Sequence, residues 1–277
     1  MHRATVDGIE LEYDEQGSGD AIVLIHAGVC ADFFVPLVGE PALSGHRLVR
    51  YHRAGYVGSG HPEGELSIAD HARHCHGLLD HLGIERAHVV GHSSSADIVL
   101  QLALDSPERV SSLTLMEPAL MPVPSRAAWG KSAALPAVEA YRAGDRPAAV
   151  DLWMRGVAGD GWREAMDRVL PGAFEQAIAD CPSFFEQELP AVQAWQFGED
   201  EARRITQPAL AVIGARSPAV SPVWEERQAL LLAWLPNVEP FVLDGATHLL
   251  HVQNPSGMAE GLAGFVARHP VADAPAM

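Results

Sequence analysis

The stretch AHVVGHSSSADIVLQLAL, residues 87–104, decides the fold. Residues 87–90 are a short apolar run typical of a buried strand, and residues 94–104 have the apolar spacing of a helix. Gly91 keeps the turn between them free of a side chain. Ser93 is expected to stand out at the helix N-terminus, where backbone N–H groups can stabilise an oxyanion. The pattern therefore predicts a nucleophilic serine at Ser93, and the alternative is a serine-rich helix cap without chemistry.

Strands and helices alternate along most of the chain. Apolar runs that end at turn residues predict further strands, and helical spacing predicts helices at residues 67–82 and 257–267. The predicted strands cover residues 21–25, 47–51, 110–116, 209–213 and 240–243. This alternation is typical of the α/β class, in which a mostly parallel sheet carries helices on both faces.

Residues 120–205 depart from this alternation. The segment contains several prolines and no convincing strand, and the tryptophans at 153, 162 and 195 have helical flanks. We interpret it as a helical cap inserted between two strands of the sheet, which leaves residues 1–119 and 206–277 as the core domain. A chain of 277 residues is long enough for one such domain with an insertion.

Composition and charge narrow the class of partner. The chain has 19 basic and 36 acidic residues and a net charge of −17, so nucleic-acid phosphates and anionic membrane surfaces would be repelled. Its three cysteines form no CxxC pair, and its apolar segments are too short to span a membrane. We therefore expect a cytoplasmic protein that acts on a small molecule, with no nucleic-acid or membrane partner. A monomer and a homodimer are both compatible with the sequence.

A serine hydroxyl needs a general base at neutral pH, and position separates the fourteen histidines. His248 follows the last predicted strand, in the turn DGATH at residues 244–248. A loop at that place can face the turn that holds Ser93. His251 is the competitor and is expected on the helical turn that follows. We predict that His248 is the base.

With these segments the chain resembles the α/β-hydrolase superfamily over nearly its whole length. Four segments match in the family's order, namely HAG at 26–28, RAGYVGS at 53–59, GHSSS at 91–95 and GATH at 245–248. Ala27, Tyr51 and Ser95 stand where the family usually has Gly, Asp and Gly. The resemblance implies an eight-stranded sheet with a helical cap, and a catalytic triad in the order serine, acid, histidine.

The acid of the implied triad is not at the family's usual position. After the strand that follows the cap, Ser217 stands where Asp is common, and no carboxylate occurs before Glu225. Cap-bearing dehalogenase-like relatives carry the acid at the end of the strand before the cap, where this chain has Glu117. The resemblance thus implies that Glu117 holds the tautomer of the histidine. Asp97 and Asp244 are the alternatives. Asp97 is instead expected to interact with the N-terminal dipole of its helix, and Asp244 to shape the turn that precedes His248.

Two backbone N–H groups are expected to bind the oxyanion. They are those of Ser94 and Gly28, with Val29 as the alternative to Gly28. Aromatic residues after this loop and in the cap predict a largely apolar substrate pocket. The candidates for its wall are Phe33, Phe34, Trp129 and Trp153.

No cofactor and no metal are expected. The glycines of GYVGSG, residues 55–60, have the wrong spacing for a dinucleotide site. Four histidines and one cysteine crowd the predicted helix between residues 71 and 81, but no second ligand cluster accompanies them. A solvated helix face is therefore preferred over a metal site.

The residues together predict a carboxylic ester hydrolase. Ser93 implies acyl transfer through an acyl-enzyme on an ester, lactone or similar carbonyl, because haloalkane dehalogenases and epoxide hydrolases of this fold use Asp instead. Two alternatives stay open. One is a cofactor-free lyase or carbon–carbon bond hydrolase in which Ser93 and His248 manage protons. The other is a non-catalytic small-molecule binder, and the departures from the family pattern favour this alternative.

Overall fold

Eight strands form one sheet in the computed structural model, which describes residues 1–62 and 64–271. The strands are β1 His2–Val6, β2 Ile9–Gln16, β3 Ala21–Ile25, β4 Arg47–Tyr51, β5 Ala87–His92, β6 Val110–Met116, β7 Ala209–Gly214 and β8 Val238–Leu243. Their order across the sheet is β1-β2-β4-β3-β5-β6-β7-β8. The first two pairs in that order are antiparallel and the other five are parallel. The predicted, mostly parallel eight-stranded sheet is confirmed.

Helices fill the connections between these strands. They are α1 Val35–Val38, α2 Ile68–His81, α3 Ser94–Asp105, α4 Arg126–Trp129, α5 Leu135–Arg142, α6 Arg146–Ala158, α7 Trp162–Val169, α8 Ala173–Pro182, α9 Leu189–Ala194, α10 Glu199–Ala202, α11 Ser217–Val220, α12 Val223–Trp234, α13 Leu250–Gln253 and α14 Pro255–Arg268. Short 3-10 turns occur at Pro41–Leu43 and Pro107–Arg109, and π-helical turns at Gly130–Ala134 and Ser183–Glu188. Strands β1 and β2 and helix α12 lie outside the elements located from the sequence pattern.

The centre of the sheet is covered on both faces. Every residue of β3, β5 and β6 is buried, so none of these strands has the alternation of buried and exposed positions that a half-exposed strand shows. Within β3, Val23 and Ile25 belong to a cluster with α2 and α3, whereas Ile22 and Leu24 belong to a cluster with α14. Successive side chains of a strand point to opposite faces, so helices lie on both sides of the sheet.

The long connection from β6 to β7 carries α4 to α10, and its described residues contain no strand. A separate apolar cluster joins this insertion to the core. In it Met154, Trp162 and Phe174 pack together with Val223 of α12 and Leu249 after β8. The exact limits of the cap at residues 120 and 205 stay a prediction, and the last six residues of the predicted core range, 272–277, lie outside the described residues.

The loops at one edge of the sheet are the place for a site. Strands β3 and β5 to β8 run parallel, so their carboxyl ends meet at the same edge, where α/β proteins bind ligands. Residues 26–28, Ser93, Glu117 and His248 all follow these ends. None of the helices in the described part of the chain has the length and apolar character that a membrane crossing requires.

Candidate active site

Ser93 occupies a strained turn between β5 and α3. Its backbone has φ 58° and ψ −126°, a conformation that residues other than glycine rarely adopt. A Cβ on Gly91 would lie 2.4 Å from the carbonyl oxygen of Ser95 and 2.7 Å from the backbone of Ala96. Strand and helix therefore approach so closely that only glycine fits at position 91, and Ser93 is presented to the cavity at the sheet edge.

Ser95, where the family usually has glycine, is held inside this turn. Its hydroxyl accepts a hydrogen bond from the N–H of His92 at 2.8 Å and donates to the carbonyl of Ile25, at the end of β3, at 2.5 Å. The side chain is fully buried. The substitution therefore links the turn to the neighbouring strand instead of disrupting it.

Glu117 and His248 form a buried pair. Oε2 of Glu117, just after β6, lies 2.6 Å from Nδ1 of His248 in the loop after β8. The other oxygen, Oε1, accepts the N–H of Gly214 at 2.9 Å. A neutral imidazole that donates from Nδ1 presents Nε2 as the acceptor nitrogen. The structure thus brings together the two residues that the sequence order selects.

Ser93 and His248 line the same cavity. Among the described residues no hydrogen bond joins Oγ of Ser93 to Nε2 of His248, and bonds of this kind often form only when a substrate closes the site. The indole of Trp224 stacks on the His248 ring, with centroids 4.0 Å and planes 16° apart. The carbonyl of His248 lies 2.8 Å from Nε2 of His92. These contacts fix the orientation of the imidazole.

Burial controls the protonation of this pair. It raises the pKa of Glu117 to about 7, while the hydroxyl of Ser217 and the N–H of Gly214 oppose the rise. Burial, and after it the Arg227 guanidinium, lowers the pKa of His248 well below the ordinary value. The two groups are in contact and titrate as a pair. Above both pKa values of the pair, the imidazole is neutral and can accept a proton.

The alternative bases and acids lie elsewhere. His251 is fully buried and stacks on Phe34, and it does not line the cavity. Oδ1 of Asp97 accepts the N–H of Ala119 at 3.1 Å, and burial raises the pKa of Asp97 well above its ordinary value. Asp244 is exposed in its turn. Neither aspartate contacts the imidazole of His248.

The segment at residues 26–28 lies against the start of α3. The N–H of Gly28 donates to Oγ of Ser94 at 3.3 Å, and both residues line the cavity, whereas Val29 does not. A Cβ on Gly28 would lie 2.6 Å from the ring of Phe184 and 2.8 Å from Oε1 of Glu188. This geometry favours Gly28 over Val29 as the second oxyanion donor, a role that stays a proposal.

A buried carboxylate that the sequence did not indicate joins the insertion to this segment. Glu188, in the π-helical turn, accepts hydrogen bonds from Tyr56 and Ser94 and pairs with Arg53, whose Nη2 lies 2.7 Å from Oε2. Arg53 is 0% and Glu188 is 2% exposed. The partners are more than 90 positions from Glu188 in the chain, so no local pattern could reveal the network.

The cavity has a volume of about 930 Å³. Phe33, Trp129 and Trp153 line it, and the two indoles meet edge to face at 5.6 Å. The assignment of Phe34 to the wall is wrong. Its ring points the other way, into the cluster with α14, and stacks on His251 with centroids 4.4 Å apart. The adjacent aromatic residues thus serve the cavity and the core separately.

The histidines of α2 do not form a solvated face. His71, His74 and Cys75 are buried, whereas His76 is half-buried and His81 is exposed. These three residues lie on the buried side of the helix, together with its apolar residues. Within the described residues there is no cluster of three His, Cys, Asp or Glu side chains that could hold a metal.

Comparisons with known proteins agree with this fold. A family profile described as alpha/beta hydrolase fold matches residues 20–142. A putative carbamate hydrolase RutD of Azorhizobium caulinodans is 39% identical over 108 residues, which cover 39% of this chain and 40% of the relative. The 2-hydroxymuconate semialdehyde hydrolase of Pseudomonas putida is 25% identical over 275 residues, 94% of this chain and 92% of the relative.

Solved structures extend the likeness to the whole chain. The enol-lactonase of Burkholderia xenovorans LB400 superposes with a TM-score of 0.81 at 23% identity, covering 96% of this chain and 100% of the other. At that identity the likeness shows the fold alone. The match to the carbamate hydrolase spans only about two fifths of that protein's length.

Proposed function

This chain is a member of the α/β-hydrolase superfamily, and from that premise we propose that it is a serine hydrolase of esters, lactones or similar activated carbonyls. One observation carries the proposal. Ser93, on a strained turn at the carboxyl edge of the sheet, shares a cavity with the buried His248–Glu117 pair. A serine, a base and an orienting carboxylate are the parts that acyl transfer requires.

In the proposed reaction Nε2 of His248 takes the proton of Oγ of Ser93 while Oγ attacks the substrate carbonyl. The negative charge that develops on the carbonyl oxygen is bound by the N–H groups of Ser94 and Gly28. The imidazolium then protonates the leaving alcohol as the carbon–oxygen bond breaks, and an acyl-Ser93 ester remains. Water repeats the sequence, giving its proton to His248 and releasing the acid.

Glu117 supports both halves of this reaction without exchanging its own proton with substrate. Its contact at 2.6 Å holds the Nδ1–H tautomer of His248 and stabilises the imidazolium that forms. The Gly214 N–H fixes the second carboxylate oxygen. Glu117 is therefore proposed as a third member of the triad, although the family's usual acid position holds Ser217.

A fluorophosphonate probe tests the proposal. Such a probe forms a covalent bond only with a serine that a base activates, so intact-mass analysis should show one adduct on the wild-type protein and none on Ser93→Ala. Ser44→Ala, at an exposed serine far from the sheet edge, should label like the wild type. A wild-type protein that takes up no probe would refute the hydrolase assignment.

Carbon–carbon bond hydrolysis is a second candidate. The observation in its favour is the match over 94% of this chain to a protein named 2-hydroxymuconate semialdehyde hydrolase. An ester hydrolase should release a stoichiometric burst of p-nitrophenol from a p-nitrophenyl ester when deacylation is slow. A carbon–carbon hydrolase that uses the residues only to move protons should cleave a vinylogous 1,5-diketone and give no burst. A protein that binds either compound without turnover would be a binder.

The proposed substrate is a small molecule, since the cavity lies between the insertion and the sheet edge and is lined mainly by apolar side chains. A cytoplasmic location rests on the three free, buried cysteines and remains a proposal. The absence of a nucleic-acid partner rests on the net charge of −17 and has the same standing. The oligomeric state, monomer or homodimer, is open.

A further inference from the structure

The charge of the cavity wall is opposite to that of the whole protein. The chain carries a net charge of −17, yet the charged side chains that line the cavity within the described residues are three arginines and no carboxylate. Arg126 and Arg142 are exposed, and Arg227 is buried. A cleft with low-dielectric walls and one sign of charge concentrates ligands of the opposite sign.

Arg227 is the buried arginine of this wall, and it lacks an ion-pair partner among the described residues. It lies on α12, is 4% exposed, and donates from Nε to the carbonyl of Leu120 at 2.8 Å. Among the described residues no carboxylate lies within ion-pair distance of its guanidinium. The rings of Trp224 and Trp129 lie 5.1 and 5.9 Å from its central carbon. A buried cation is normally paired, because removal of its hydration shell is costly.

The nearest acids do not supply that pair. Burial lowers the pKa of Arg227 to about 10, so the guanidinium is charged at neutral pH. The charge of Asp97 acts on Arg227, but the two side chains form no ion pair, and Oδ1 of Asp97 accepts the N–H of Ala119. The two carboxylate oxygens of Glu117 contact Nδ1 of His248 and the N–H of Gly214. Glu226 directs its two oxygens to the N–H and hydroxyl of Ser125. Within the described residues, the positive charge of Arg227 therefore has no ion-pair partner.

We propose that the substrate carries a carboxylate, or an anionic group of the same shape, that binds Arg227 while its ester or lactone carbonyl lies at Ser93. The inference rests on the proposed hydrolase function and adds the substrate class. Trp224 contacts both Arg227 and the His248 ring, so one indole separates the anion site from the base. The planar guanidinium can donate two parallel hydrogen bonds to a carboxylate.

The test compares matched esters on the wild-type protein. Mono-p-nitrophenyl esters of straight-chain dicarboxylic acids, from adipate to suberate, are each paired with the diester in which the free carboxyl is methylated, and p-nitrophenol release is measured at pH 8. The two members of a pair differ in the charge and one methyl group at the far end. For at least one chain length, kcat/KM should be about 10- to 100-fold higher for the acid, the range expected for charge-assisted hydrogen bonds.

Two variants locate the effect. In Arg227→Gln the ratio of acid to methyl ester should fall to near one, and because it is a ratio, a general loss of activity cancels. Arg204→Gln removes one exposed positive charge outside the cavity and should keep the wild-type ratio. The wild-type comparison stands by itself if Arg227→Gln does not fold. A preference that survives in folded Arg227→Gln would place the anion site elsewhere and overturn the proposal.

The two proposals fail in different ways. A wild-type protein that hydrolyses acids and methyl esters equally at every length refutes the carboxylate site but leaves the hydrolase assignment intact. A protein that hydrolyses neither series and takes up no fluorophosphonate refutes the hydrolase assignment itself.

Discussion

The carboxylate of Glu188 should contribute far more to stability than a surface charge does. It is the partner of Arg53, which is 0% exposed, and the described residues offer that guanidinium no other carboxylate within ion-pair distance. Nε and Nη1 of Arg53 are already buried without hydrogen-bond partners. Glu188→Gln keeps the size of the side chain and removes its charge. It would leave the buried cation uncompensated.

The magnitude follows from the cost of an unpaired buried charge. Removal of one partner of a buried pair typically destabilises by about 3–5 kcal/mol. For a domain of this size we expect a fall in Tm on the order of 10 °C. The cost lies in the stranded charge rather than in the lost attraction. The double variant Arg53→Met/Glu188→Leu should therefore recover most of the lost stability.

Urea unfolding, followed by tryptophan fluorescence, measures these free energies. Glu199→Gln is the matched control, because Glu199 pairs with Arg203 on the surface, where both side chains are about half exposed or more. It should leave the free energy of unfolding unchanged within error. Two results would refute the reasoning. One is a loss below about 1 kcal/mol in Glu188→Gln, and the other is a double variant no more stable than the single one.

The remaining predictions concern the site and its turn. Glu117→Gln should lower turnover of a p-nitrophenyl ester by about 10³- to 10⁴-fold and Asp97→Asn by less than about tenfold, and the reverse ranking would move the triad acid to Asp97. Arg227 lowers the pKa of both members of the histidine–glutamate pair, so Arg227→Gln should move the acid limb of kcat/KM for a neutral ester upward by about 0.5–1 pH unit; a downward shift would contradict this sign. Gly91→Ala should lower the free energy of unfolding in urea by about 1–3 kcal/mol, because the new Cβ would clash with backbone atoms. Gly39→Ala should leave it unchanged, because the space around that Cβ is open.

The sheet was predictable where burial is complete. Strand β3 is an unbroken apolar run at its centre, and β5 and β6 beside it are equally buried although histidine, serine and threonine interrupt their apolar residues. Strand β2 is half-exposed, and Ile9, Leu11 and Tyr13 alternate with acids, which is the pattern of a half-buried strand. It was therefore predictable from the sequence, although it lies outside the strands predicted above. Strand β8 was found only from Pro240 onward. A proline is tolerated there because β8 is the last strand of the sheet.

The candidate site was predictable as far as chain order reaches. Ser93, Glu117 and His248 each follow the end of a parallel strand, and the topology then brings those ends together. The direction of a ring is a different matter. Phe33 and Phe34 are adjacent and chemically alike, and only tertiary packing assigns one to the cavity and the other to the core.

The groups that the sequence did not reveal depend on distant contacts. Arg227 and Glu188 have ordinary helical neighbours, and nothing near them in the chain marks them as buried. Their roles arise because α12 and the insertion fold over the sheet edge. Pairings of this kind are fixed by tertiary structure, which a single sequence does not display.

The packing of Phe184 and Glu188 against Gly28 limits how freely this fold can be recombined. Insertions of this type are attractive units for exchange between enzymes, because they lie between two strands and line the cavity. Here the exchanged part would also contain the atoms that pack against Gly28 and the only carboxylate within ion-pair distance of Arg53 among the described residues. A chimera would therefore have to take the loop at residues 53–56 from the same parent protein as the insertion.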